Sequence, residues 1–122
     1  MPPLFFDFFS ILCYNKRKKE IKMNYFEELK QRFWILSNLN KDEDYLEEWA
    51  AQTYETYCDD VQAIAAFVTV LNHKCWYWYD NKNEELSKIY SDLYYKYNDL
   101  EWDWLEAHGT EEEKHWYFEI LD

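Results

Sequence analysis

His73 and Cys75, with one residue between them, could supply two metal ligands, and His108 or His115 could add a third. Structural zinc sites draw on Cys-x₂₋₄-Cys or His-x₃₋₅-His spacings, and neither occurs here. Cys75 falls instead in an apolar helical seam, where a thiol acts as a small hydrophobe. Glu112-x-x-His115 is half of a carboxylate-bridged di-iron signature, which needs the Glu-x-x-His pair on two helices. Three residues before His73 and His108 stand Val70 and Leu105, so the second pair is missing. Cys58 or Cys75 could be matched with any of three histidines as a nucleophile and base, but no local signature supports the match. Gly109 is the only glycine, so no Gly-rich loop exists to cradle a phosphate. Carboxylates are abundant without any one pair standing out as acid and base. The sequence therefore assigns no catalytic residue, no metal and no cofactor, and it points to binding rather than catalysis.

The composition narrows the kind of binding. Aromatic residues make up 22% of the 122 residues, and the formal net charge is −12. Each buried aromatic ring removes about 150–250 Å² from water, so this is the composition of a folded core. Both prolines stand at positions 2 and 3, and with one glycine there is little material for hairpin turns. That argues against an all-β fold. Residues 1–22 hold five basic side chains (Lys16, Arg17, Lys18, Lys19, Lys22) against Asp7 and Glu20. The remaining 8 basic and 23 acidic residues give 23–122 a net charge of −15. Such a body repels nucleic acid and anionic membrane, so any partner selected by charge is basic. Three scattered cysteines (Cys13, Cys58, Cys75) read as reduced thiols in a cytoplasmic protein.

The first 22 residues look unlike the rest. Their apolar run, Leu4 to Tyr14, spans 11 residues and is broken by Asp7, well short of the roughly 20 that cross a membrane. The positive charges follow the apolar stretch, the reverse of a signal peptide. Lys19-Glu20 can be encoded AAG-GAG, a bacterial ribosome-binding sequence, with Met23 as the start codon. Residues 1–22 are thus expected to be upstream translation or a disordered tail, and 23–122 a single helical domain of bacterial, phage or plasmid origin.

Helix signals are dense from Met23 onward. Phe26, Leu29, Phe33 and Leu36 predict a helix over about 23–38. Asn40 with Glu43 opens a second, about 41–57, and Asp59 with Gln62 a third, about 60–80, with Val61, Ile64, Val68, Leu71, Cys75 and Trp78 as its seam. Asn81 with Glu84, or Asn83 itself, caps a fourth, about 83–107, whose heptad-like seam runs Leu86, Tyr90, Leu93, Tyr97, Leu100, Trp104, Ala107. Gly109 is expected in a left-handed conformation closing it, and Thr110 with Glu113 opens a last short helix. The short connection between the third and fourth predicts an antiparallel hairpin. The expected fold is all-α, a small bundle of four to five helices.

The acids are not all ordinary. Glu43 faces Glu47, and Asp44 faces Glu48, as like charges at i,i+4; Asp99, Asp103 and Glu106 line one stripe, with Glu101 nearby. Each such pair costs a few tenths of a kcal/mol, so local stability does not account for them. Solubility could. So could recognition of a basic surface, because an i,i+4 step rises about 6 Å, comparable to the step between phosphates along a strand. In size and charge the chain resembles phage and plasmid inhibitors of restriction or CRISPR nucleases, a likeness that covers no motif. It implies a nucleic-acid-mimicking inhibitor of a basic nucleic-acid-binding protein. The alternative is an antitoxin or adaptor whose hot spot is Tyr95 and Trp102, which lie opposite the seam one heptad apart, where either another helix covers them or the pair is exposed.

Overall fold

A computed structural model describes residues 23–39 and 42–121, which form five helices and no strand. Residues 1–22, with their expected tail and Cys13, lie outside the described residues, as does Asn40. The helices are α1 (Met23–Ser37), α2 (Glu43–Tyr57), α3 (Val61–Asp80), α4 (Glu84–His108) and α5 (Glu111–Leu121). Among the described residues no helix is long and apolar enough to cross a membrane.

Short polar side chains set where these helices start, by accepting the first unpaired backbone N–H groups. Asp42 caps α2 by accepting from Tyr45 N, and Asp60, not Asp59, caps α3 by accepting from Ala63 N at 3.1 Å. Asn83 caps α4 by accepting from Leu86 N at 3.1 Å. Thr110 and Glu113 form the expected reciprocal box, with Thr110 N donating to Glu113 Oε1 at 2.9 Å and Glu113 N donating to Thr110 Oγ1 at 3.0 Å. The α3–α4 turn closes by a different device. Lys82 takes a left-handed φ of 63°, its N–H donates to Tyr79 O, and Asn83 N donates to Trp78 O, the paired bonds of a Schellman ending.

The chain runs up and down five times, with α3 at the centre against all four other helices. Eleven consecutive residues, 61–71, are buried, so this half of α3 is enclosed all round rather than along one seam. Phe67 is the hub. Its ring stands 6.0 Å from Phe33 of α1, 5.5 Å from Trp49 of α2 and 5.4 Å from Tyr97 of α4. Antiparallel pairing of α3 with α4 is fixed at the other end by Ser87 Oγ donating to Cys75 O at 2.9 Å. Above residue 71 the enclosure opens. Lys74, 1% exposed, donates to Asn38 Oδ1 and lies 4.4 Å from the centre of the Trp34 ring, but Trp76, Tyr77 and Tyr79 face outward.

The seam of α4 departs from the heptad expectation. Leu86, Tyr90, Leu93 and Tyr97 are buried as expected, but the next buried positions are Glu101 and Leu105. Leu100 is 40% exposed, Ala107 is exposed and Trp104 is half-buried. A straight helix drifts by about 20° per heptad against a strict seven-residue repeat, which carries Leu100 and Ala107 outward and Glu101 inward. Gly109 is also not left-handed: its φ of −80° is ordinary extended backbone. Glycine is needed there for space, because a Cβ would stand 2.7 Å from Leu105 Cδ2 and 2.9 Å from Leu105 O.

Candidate interaction surfaces

Two rows of carboxylate lie on neighbouring helices. Glu43, Asp44, Glu47 and Glu48 are exposed on α2, and Asp99, Asp103 and Glu106 are exposed on α4. α2 and α4 run parallel, since Glu43 acts on Lys88 near their upper ends while Tyr54 stacks on Tyr97 at 5.4 Å further down. The ion pairs within the described residues engage other acids: Glu27 with Lys30, Asp92 with Lys88, Glu111 with Lys114 and Glu119 with His115. None of the seven row carboxylates forms an ion pair among the described residues. The lower half of the α4 row, from Asp99 to Glu106, contains no basic residue at all.

Glu101 does not belong to this surface. It is 0% exposed, and neither carboxyl oxygen has a hydrogen-bond partner. Burial pushes its pKa up to about 8, with the negative charges of Asp60 and Glu113 adding to the rise and weak interaction with the Tyr54 hydroxyl opposing it. Its neighbours shift in the same direction. Burial, with Glu101 as the next cause, raises Tyr54 to about 12 and raises Tyr117 as well. Burial also raises Asp60, although Tyr25 Oη donates to its Oδ2 at 2.5 Å and Ala63 N to its Oδ1. Glu101 therefore sits in the core as a neutral acid at pH 7, out of reach of a partner.

The two aromatics expected to act together are also separated. Trp102 is half-buried under α5, 6.0 Å from Tyr117 and 6.4 Å from Phe118, so it serves packing. Tyr95 remains 62% exposed, and it joins a group that sequence reasoning missed. Trp76 and Tyr79 of α3 face Tyr94 and Tyr95 of α4 across a cavity of about 330 Å³ at the distal end of the hairpin, floored by Cys75 and Ser87. The signal was present in "CWYWYD": four successive aromatics on a helix cannot all point inward, because they span nearly a full turn. A second, shallower opening of about 500 Å³ lies between α1 and α2, lined by Phe33, Leu36, Trp49 and Tyr57.

No group of three His, Cys, Asp or Glu side chains is placed to hold a metal ion among the described residues. The Cys58 thiol donates to Asp59 Oδ1 at 3.2 Å, a bond that raises its pKa and works against the nucleophilic thiolate. Burial lowers the pKa of His73, helped by the positive charge of Lys30. No protein-family model, curated protein or solved structure matches this chain, which leaves the acidic rows and the aromatic cavity as the guides to its function.

Proposed function

We propose that the protein acts by binding a basic protein surface through the carboxylates of α2 and α4, as a nucleic-acid mimic directed at a nucleic-acid-binding protein. The observation that carries this is the set of seven exposed carboxylates that form no ion pair among the described residues, on two adjacent, parallel helices. Their like-charge spacing costs each helix a few tenths of a kcal/mol per pair. A rigid helix holds Asp99 and Asp103 one i,i+4 step apart, about 6 Å along its axis, which suits side chains that otherwise track phosphates. A restriction or CRISPR nuclease is a partner of the right charge.

The test is the triple variant Asp99→Asn, Asp103→Asn, Glu106→Gln, assayed for inhibition of DNA binding by such nucleases. Wild type should inhibit at low salt and lose affinity steeply as salt rises; the variant should fold at least as stably and bind more weakly, chiefly through slower association. Equal inhibition by both proteins would refute the role of the stripe. A second reading, an antitoxin or adaptor without mimicry, is favoured by the exposed rings of Trp76, Tyr79 and Tyr95. An interface built on those rings would respond little to salt.

A further inference from the structure

The cavity at the end of the α3–α4 hairpin has the make-up of a cation-binding box. Two edge-to-face ring pairs face one another across it, Trp76 with Tyr79 at 5.7 Å and 82°, and Tyr94 with Tyr95 at 5.2 Å and 65°. Rings set nearly at right angles present both walls of a corner, which is how π faces surround a single positive group. Trp76, Tyr79 and Tyr95 are 58%, 59% and 62% exposed, so these rings are open to a visitor.

The chain already uses this chemistry on itself. Lys30 lies 4.8 Å from the ring centre of Phe26, Lys74 4.4 Å from that of Trp34, and Lys96 5.2 Å from that of Tyr97. The distal cavity has the aromatic walls but no lysine or arginine in its lining, and Lys88 on the same helix is engaged with Asp92 at 2.9 Å. No carboxylate lines it either. Ring faces without a carboxylate favour a diffuse, weakly hydrated cation over a compact one. A volume of about 330 Å³ lies at the small end of ligand sites, the size of one side chain and not of a cofactor.

We propose that this cavity receives the guanidinium end of an arginine side chain, a delocalised and weakly hydrated cation, presented by a basic protein partner. The net charge of −12 favours such a partner over a neutral or acidic one. The proposal rests on the basic-partner reading for the source of the cation, but the box itself can be tested without any partner.

The probe is choline, compared at constant ionic strength with its neutral isostere 3,3-dimethylbutan-1-ol. Binding to the full chain is followed by NMR at the Trp76 indole N–H. Choline should produce a saturable shift there, with the isostere at least about tenfold weaker, as expected where charge and not shape is recognised. Tyr79→Leu and Tyr95→Leu keep the apolar surface and remove the hydroxylated ring at exposed positions; both should fold, as checked by circular dichroism, and weaken choline binding by about tenfold. Equal binding of choline and isostere, no shift at Trp76, or full binding by the leucine variants would each overturn the box. The Asp99, Asp103, Glu106 triple variant should retain the choline titration, because none of those residues lines the cavity. Failure of the acidic stripe and failure of the box are thereby distinguishable.

Discussion

Replacing Glu101 by Gln should make the protein more stable at neutral pH and flatten the dependence of its stability on pH. Wild-type Glu101 titrates at about 8 in the fold against an ordinary value of 4.5. A carboxyl whose folded pKa is raised supports the fold fully below its unfolded value, and that contribution is lost as pH rises through the folded value. The difference in proton binding over that window withholds about 1 kcal/mol at pH 5 and about 3 kcal/mol at pH 7, approaching about 5 kcal/mol above pH 9. Gln has the same shape and never ionises. Its buried amide needs partners too, but that cost does not vary with pH. The diagnostic quantity is the gap between the two proteins, which should widen by about 2–3 kcal/mol between pH 5 and pH 7. Urea denaturation followed by circular dichroism at both pH values measures it. Asp60, raised in the same direction, titrates in both proteins and does not cancel the difference. Parallel stability curves would show that Glu101 finds a partner or reaches water in solution, and would refute its assignment as a buried neutral acid.

Two backbone positions give further expectations. Lys82→Gly should raise the melting temperature by several degrees, because glycine takes a φ of 63° without the cost of about 1 kcal/mol that a side chain incurs there; an unchanged or lower temperature would contradict this. Gly109→Ala should cost about 1–3 kcal/mol in chemical denaturation, since the new methyl meets Leu105 Cδ2 at 2.7 Å and the backbone oxygen of a fully buried residue at 2.9 Å. Stability equal to wild type would mean that the α4–α5 junction yields easily.

The helices were legible because their signals are local. Asn83, Thr110 with Glu113, and the spacing of Phe26, Leu29 and Phe33 each act within a turn or two, and each holds in the structure. The misassigned positions depend on information from further away. Whether Leu100 or Glu101 faces inward depends on accumulated drift along α4 and on whether the hairpin supercoils, which a heptad template presupposes. Trp102 became packing rather than surface because α5 folds back over it, a contact set by a turn beyond the helix that carries it. Gly109 showed its special role in the sequence but not the reason, since crowding against Leu105 and a left-handed backbone call for the same residue type. The seven row acids were placed correctly on the surface, as charge and amphipathic spacing suffice for that, while the aromatic box needed two helices in register to exist at all.

The complete enclosure of residues 61–71 has a consequence for synthesis of the chain. The stretch "VQAIAAFVTVL" contains no charge, no proline and no glycine, and it is rich in β-branched residues. Outside its four covering helices it has the character of a segment that pairs with copies of itself. Two of those helices, α4 and α5, lie C-terminal to it and are made afterwards. At about 5–20 residues per second, the ribosome takes several seconds to supply them. During that interval only α1 and α2 are available to cover the stretch, and the acids of α2 set a row of like charge beside it. The row of like charges on α2 would then protect newly made chains from coaggregation before it ever meets a partner.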